Sequence, residues 1–168
     1  ALFEAGGPSK VGTMRDIHVK RSGKVIVHFD MYDFLLKGDK ANDVRLIPED
    51  VIFIPTVGPL VGIAGNVRRP GIYELRNETR LLDLIEMAGG LTGVAFNGRL
   101  QVQRIEDHQY KVLFEGDLVD IENRGEKNFT LKDGDLVKVF SVLDTKNTIT
   151  ISGAIAGEGE YGVVSGVT

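Results

Sequence analysis

The chain has 168 residues, 42% of them hydrophobic and 26% charged, enough apolar material for one or two small cores. A formal net charge of -4 and a pI near 5.4 exclude a general electrostatic attraction to nucleic acid or to an anionic membrane surface. With no cysteine, disulfides and thiolate metal sites are excluded too, and no stretch is long and apolar enough to cross a bilayer as a helix.

Residues 1–5 read as the last turns of a helix, closed by Gly6-Gly7 before Pro8. Ala1 falls inside that helix and no basic, hydrophobic leader precedes it, so the chain reads as a piece of a longer protein. Ile17-His18-Val19-Lys20-Arg21 alternates apolar with polar residues, as a half-buried strand does. Ser22-Gly23 turns the chain, and Val25-Ile26-Val27-His28-Phe29 supplies the returning strand. Tyr32, Phe34, Leu35 and Leu36 before Gly38 suit one or two helical turns. Val51-Ile52-Phe53-Ile54 is the most apolar short run and predicts a buried strand ending at Pro55.

Gly58-Pro59 marks a short boundary, after which residues 61–90 carry the clearest signal: VGIAGNVRRPGIYELRNETRLLDLIEMAGG. Two brief apolar runs flank Arg69-Pro70-Gly71 and predict a β-hairpin. Asn77 or Thr79 is placed to cap a helix whose apolar face is Leu81, Leu82, Leu84, Ile85 and Ala88, and Gly89-Gly90 stops it. Strands over 100–104 and 110–114, a short helix near 118–121, a loop over 123–128 and a strand over 136–140 follow.

Parts of this unit recur. Ala5-Gly6-Gly7 matches Ala88-Gly89-Gly90, and the same spacing runs without a gap to Arg21 and Arg104 (104 − 21 = 83). Residues 46–51 match 131–136 (131 − 46 = 85), and 151–161 repeat 63–73 (153 − 65 = 88). The chain therefore divides into the C-terminal part of a first module (1–57), a complete second module (58–146) and the N-terminal hairpin of a third (147–168). A sheet gripping one main helix is the β-grasp arrangement, class α+β. A hairpin without its helix, or a helix without its hairpin, exposes apolar surface and a strand edge. The third unit is therefore expected to complete the first, in the same chain or by swapping between chains.

The pattern G-x-V-x-x-P-G-x-Y-x-L, then T-x-L-x-D-L-I-x-x-A-G-G-L-T and a basic strand ending in V-x-R, resembles the SLBB domain, the soluble ligand-binding β-grasp module. Ala5-Gly6-Gly7-Pro8-Ser9 and the run over 29–39 resemble the first such module of outer-membrane polysaccharide export proteins. That resemblance implies a non-enzymatic module of a capsular or exopolysaccharide export protein, the periplasmic part of a bacterial outer-membrane-associated protein. It implies homo-oligomers forming an export channel, an exported polysaccharide, an inner-membrane polysaccharide copolymerase or kinase as partner, and no cofactor or nucleic acid. Any membrane contact would be made by segments outside this chain. The alternative is a carbohydrate-binding module that touches the exported polymer directly.

The residues themselves suggest little catalysis. Residues 157–162 spell G-x-G-x-x-G, but the equivalent central segment is a hairpin turn and two glutamates would repel a phosphate. His18, His28 and His108 have no second histidine or cysteine at ligand spacing, so no metal site is expected. Asp39, Asn42 and Asp43 read as turn formers rather than calcium ligands, and Asp30 with Asp33, or Asp117 with Asp120, as caps rather than a glycosidase pair. The remaining candidates are Asn66, Arg68, Arg69 and Tyr73 at the central hairpin tip. Two guanidinium forks beside an aromatic ring suit an acidic sugar, or a neighbouring subunit with Tyr73 packed on the helix.

Overall fold

The computed structural model describes residues 2, 4–106, 109–123, 129–141, 148–151 and 159–162, the last two stretches by their backbone. In chain order the elements are β1 (Ile17–Arg21), β2 (Lys24–Phe29), α1 (Met31–Lys37), β3 (Val51–Phe53), β4 (Leu60–Gly65), β5 (Gly71–Glu74), α2 (Leu81–Met87), β6 (Ala95–Glu106), β7 (Gln109–Gly116), α3 (Leu118–Asn123), β8 (Leu136–Ser141), β9 (Thr148–Ile151) and β10 (Gly159–Gly162). Mixed sheets with few helices make the fold α+β.

The central sheet runs β5-β4-β8-β6-β7, with β4 parallel to β8 and its other pairs antiparallel. Alternate residues of β4, β6 and β8 face inward: Val61 and Ile63, Leu100 and Val102, Val137 and Val139. Leu81, Leu84 and Ile85 of α2 close over them, spaced to share one helix face. Burying one such aliphatic side chain contributes about 1.5–3 kcal/mol. Gly65 lets β4 lie this close to β8: its φ is +88°, and a Cβ there would sit 2.0 Å from the Val139 carbonyl oxygen.

Helix α2 starts differently from expectation. Its N-cap is Arg80, whose backbone N–H donates to Asp83, and neither Asn77 nor Thr79 caps it with a side chain. The Leu81 N–H donates to the Phe129 carbonyl at 3.0 Å, and Leu131 N–H returns a bond to Thr79. A distant segment thus supplies the acceptor that sequence reasoning sought nearby. The stop is as expected, with Gly89 and Gly90 at φ +79° and +84° and the Gly90 N–H donating to Ile85.

A three-stranded sheet, β2-β1-β3, precedes the central one, and β9-β10 form a two-stranded sheet. The offsets read from the sequence reappear as register. His18, Val19 and Lys20 pair with Phe53, Ile52 and Val51, while Gln101, Val102 and Gln103 pair with Lys138, Val137 and Leu136. Arg21 grips both carboxylate oxygens of Asp50 at 2.8 and 2.9 Å, and Arg104 grips those of Asp135 at 2.7 Å each. Ile47 N–H donates to the first aspartate as Lys132 N–H does to the second. The β9–β10 pairing copies that of β4–β5: Ile149 lies opposite Tyr161 as Val61 lies opposite Tyr73.

Strand β3 is a correction. It was expected to be buried, yet Val51 is 56% and Phe53 45% exposed, and Ile52 is the half-buried residue between them. An unbroken apolar run signals a strand covered on both faces; here one face of an edge strand meets solvent.

Candidate functional site

The hairpin tip is stitched to the end of α2. Asn66 donates through its backbone N–H and its Nδ2 to the Val139 carbonyl, at 3.1 and 3.3 Å, and its own carbonyl accepts from Thr92. Arg68 N–H donates to Gly90 and Arg69 N–H to Ala88. The Arg69 Nη2 donates to the Met87 carbonyl at 3.0 Å, placing a cation on the negative end of the helix. Tyr73 donates its hydroxyl to the Arg69 carbonyl at 2.7 Å.

The four candidates therefore divide. Arg68 and Arg69 are exposed and Asn66 is half-buried, but Tyr73 is 8% exposed, with its ring edge-on to Tyr32 at 6.2 Å. Its ring face is not open to a pyranose: of the two sequence readings, the structure has the one in which Tyr73 packs inward with the helix. Strand alternation is the reason: Tyr73 lies opposite Val61 on the inner face, and Ile72, 73% exposed, points outward.

The junction between the two larger sheets holds charge that sequence reasoning missed. Arg15 is 3% exposed; its Nε donates to both oxygens of Asp30, its Nη1 to the Glu74 carbonyl, and Nη1 and Nη2 to Glu78 at 3.0 Å each. Its guanidinium lies 4.6 Å from the Tyr32 ring centre. Burial opposes this charge, but hydrogen bonds to Glu78 and Asp30 outweigh it and raise the Arg15 pKa. For Glu78, too, burial is the largest influence, and Arg15 reverses it to hold the carboxyl below its ordinary value. The buried Glu74 carboxylate accepts from the Thr13 hydroxyl, from Met14 N–H at 2.8 Å and from Gly58 N–H at 2.9 Å. One signal was available: Arg15 lies within the repeat but aligns with Gly98, so the shared fold does not require an arginine there.

The other sequence candidates take ordinary or unexpected places. Asp30 caps α1 by accepting from Tyr32 N–H and pairs with Arg15, while Asp33 pairs with Lys37. Asp39 accepts from Ala41 N–H in a turn. Residues 159–162 of the glycine motif form β10, and 157–158 lie outside the described residues, as does His108. His18 and His28, expected to stand apart, lie side by side with Asp16 because β1–β2 pairing sets them opposite one another.

The first sheet also bounds an open apolar cleft of about 260 Å³, lined by Ile17, Val19, Phe29, Met31, Phe34 and Ile52 among others. The offsets place Ile17, Val19 and Ile52 at the positions of Leu100, Val102 and Val137, which β4 and α2 cover in the central sheet. Among the described residues, β3 pairs with β1 and its other edge has no strand.

A mixed sheet gripping one helix defines an α+β domain of the β-grasp kind. Residues 60–113, from β4 into β7, match the family model of the SLBB domain, a ligand-binding type of module. No curated protein matches the chain. Among the described residues, no helix is long and apolar enough to cross a membrane.

Proposed function

We propose that this chain is a non-enzymatic periplasmic part of a capsular or exopolysaccharide export protein, and that it builds an oligomeric channel through contacts between subunits. Residues 1–57, 58–146 and 147–168 act as part of one SLBB-like module, a complete second and the hairpin of a third.

The observation that carries this reading is the open cleft beside the unpaired edge of β3. In the central sheet that place is taken by β4, with Gly62 opposite Leu136 and Ile63 opposite Val137. The same offsets set Thr150 opposite Val51 and Ile151 opposite Ile52. The hairpin of a second copy, carrying Ile149 and Ile151 at the Val61 and Ile63 positions, therefore has the chemistry and register to fill the cleft. Repeated from copy to copy, such a contact suits a ring around a polysaccharide path, with an inner-membrane copolymerase or kinase as the further partner.

Sedimentation over a range of concentrations tests the assembly, run beside an amide NMR titration with acidic and neutral oligosaccharides. The expected result is a mass that rises with concentration, falls to the monomer in Ile151→Glu, and persists with every sugar silent. A monomer at every concentration overturns the assembly. If shifts then gather at residues 66–73 and vanish in Arg68→Glu, the chain is a glycan-contacting module instead.

A further inference from the structure

The first hairpin gathers three groups that spacing along the chain keeps apart. His18 on β1 and His28 on β2 are direct cross-strand partners, and Asp16, two residues before His18, shares its face. Asp16 Oδ2 lies 2.9 Å from His18 Nε2, and Asp16 Oδ1 lies 2.7 Å from His28 Nδ1. All three potential donor atoms fall within 4.8 Å of one another. The imidazoles meet edge-on at 4.4 Å, and Phe53 backs His18 at 5.8 Å. Ile17 and Val19, both buried, hold β1 against sliding, so the three side chains stand on a rigid strand pair.

An ionised carboxylate only accepts hydrogen bonds, so each imidazole nitrogen facing Asp16 carries a proton. The Asp16 carboxyl is held below its ordinary range, first by the hydrogen bond from His28, so its oxygens are ionised donors. We infer that Asp16, His18 and His28 form a binding site for one divalent transition-metal ion of the zinc type. Two imidazole nitrogens and one carboxylate oxygen match the preference of such ions, whereas calcium and magnesium favour oxygen alone. Bond lengths of about 2.0–2.1 Å around a tetrahedral ion set its ligand atoms roughly 3.3 Å apart. The present separations, 2.9 and 2.7 Å to the carboxylate oxygens and at most 4.8 Å between any two donor atoms, bracket that spacing. As the ion binds, the two facing nitrogens release their protons to solvent and each ring takes up a proton on its other nitrogen. His28 is exposed, so the remaining coordination position opens to water or to an anionic group of a bound molecule.

Arg76 is the competing charge, 3.7 Å from Asp16 and equally far from Asp30. Its side chain is partly exposed and already reaches Asp30, an anionic partner that it keeps when the ion takes Asp16.

The test is calorimetric titration of the untagged chain with zinc chloride, followed in parallel by NMR of the histidine rings. One equivalent is expected to bind with shifts confined to the β1–β2 hairpin. His18→Ala, His28→Gln and Asp16→Asn each weaken binding by at least about tenfold. His108→Ala leaves it unchanged, and magnesium chloride shifts nothing. His28→Gln and Asp16→Asn keep the test readable if His18→Ala does not fold. Absence of zinc binding, or binding that survives His28→Gln and Asp16→Asn, overturns the site and leaves the cluster as an ion-pair network.

Discussion

Asp50 accepts two bonds from Arg21 and one from Ile47 N–H, and these hold its pKa at about 2, the Arg21 hydrogen bond being the largest cause. In the unfolded chain the carboxyl returns to roughly 3.9. A folded value below the unfolded one means that ionised Asp50 stabilises the fold above about pH 4 and that this contribution is lost as pH falls toward about 2. Melting temperatures followed by circular dichroism are therefore expected to fall less steeply in Asp50→Asn than in the native chain across that window. The aspartate was legible in the sequence as part of a repeat, because residues 46–51 match 131–136. Its arginine was legible as the end of the other repeated stretch, matched by Arg104, but their pairing was not: the two lie 29 positions apart, and no local pattern couples them.

The parallel contact of β4 with β8 depends on the bare Cα of Gly65. Gly65→Ala would drive a methyl group into the Val139 carbonyl at a positive φ. A loss on the order of 3 kcal/mol is expected, read by urea unfolding, with amide exchange quickening first in β4 and β5. Element identity was legible wherever a pattern is local, as in the alternation of β1 and the double glycine after α2. Burial was not legible at β3, a strand as expected, because it depends on whether a further strand lies alongside, and the capping group of α2 was not, because the acceptor comes from residue 129. Tyr73 shows the same limit. The sequence left its ring either open to a sugar or packed on the helix, and the strand phase decided for the core.

Arg15 ties the first sheet to the central one through Asp30 on one side and Glu74 and Glu78 on the other. Replacing it with methionine leaves Asp30, itself 5% exposed, without its closest cationic partner. Loss of one member of a buried pair typically costs about 3–5 kcal/mol. Arg15→Met is therefore expected to lower stability by about 3 kcal/mol. Arg15→Met combined with Asp30→Asn should recover part of that loss, as a denaturant series on the four chains would record. Protection from amide exchange should fall in β1–β3 more than in the central sheet, since Arg15 joins the two without lying in the central core.

From its own order of residues the chain determined the kinds of element, their sequence, the repeat offsets and the SLBB resemblance, because turns, alternation and helix faces are written over a few neighbouring positions. Only the tertiary structure decided what those elements bring together. It set His18 beside His28, buried Arg15 between three carboxyl-bearing residues, turned Tyr73 inward and left an apolar cleft along β3. Each depends on strand register and sheet packing between residues far apart in the chain, and a shift of one position in register turns every side chain of a strand to its other face.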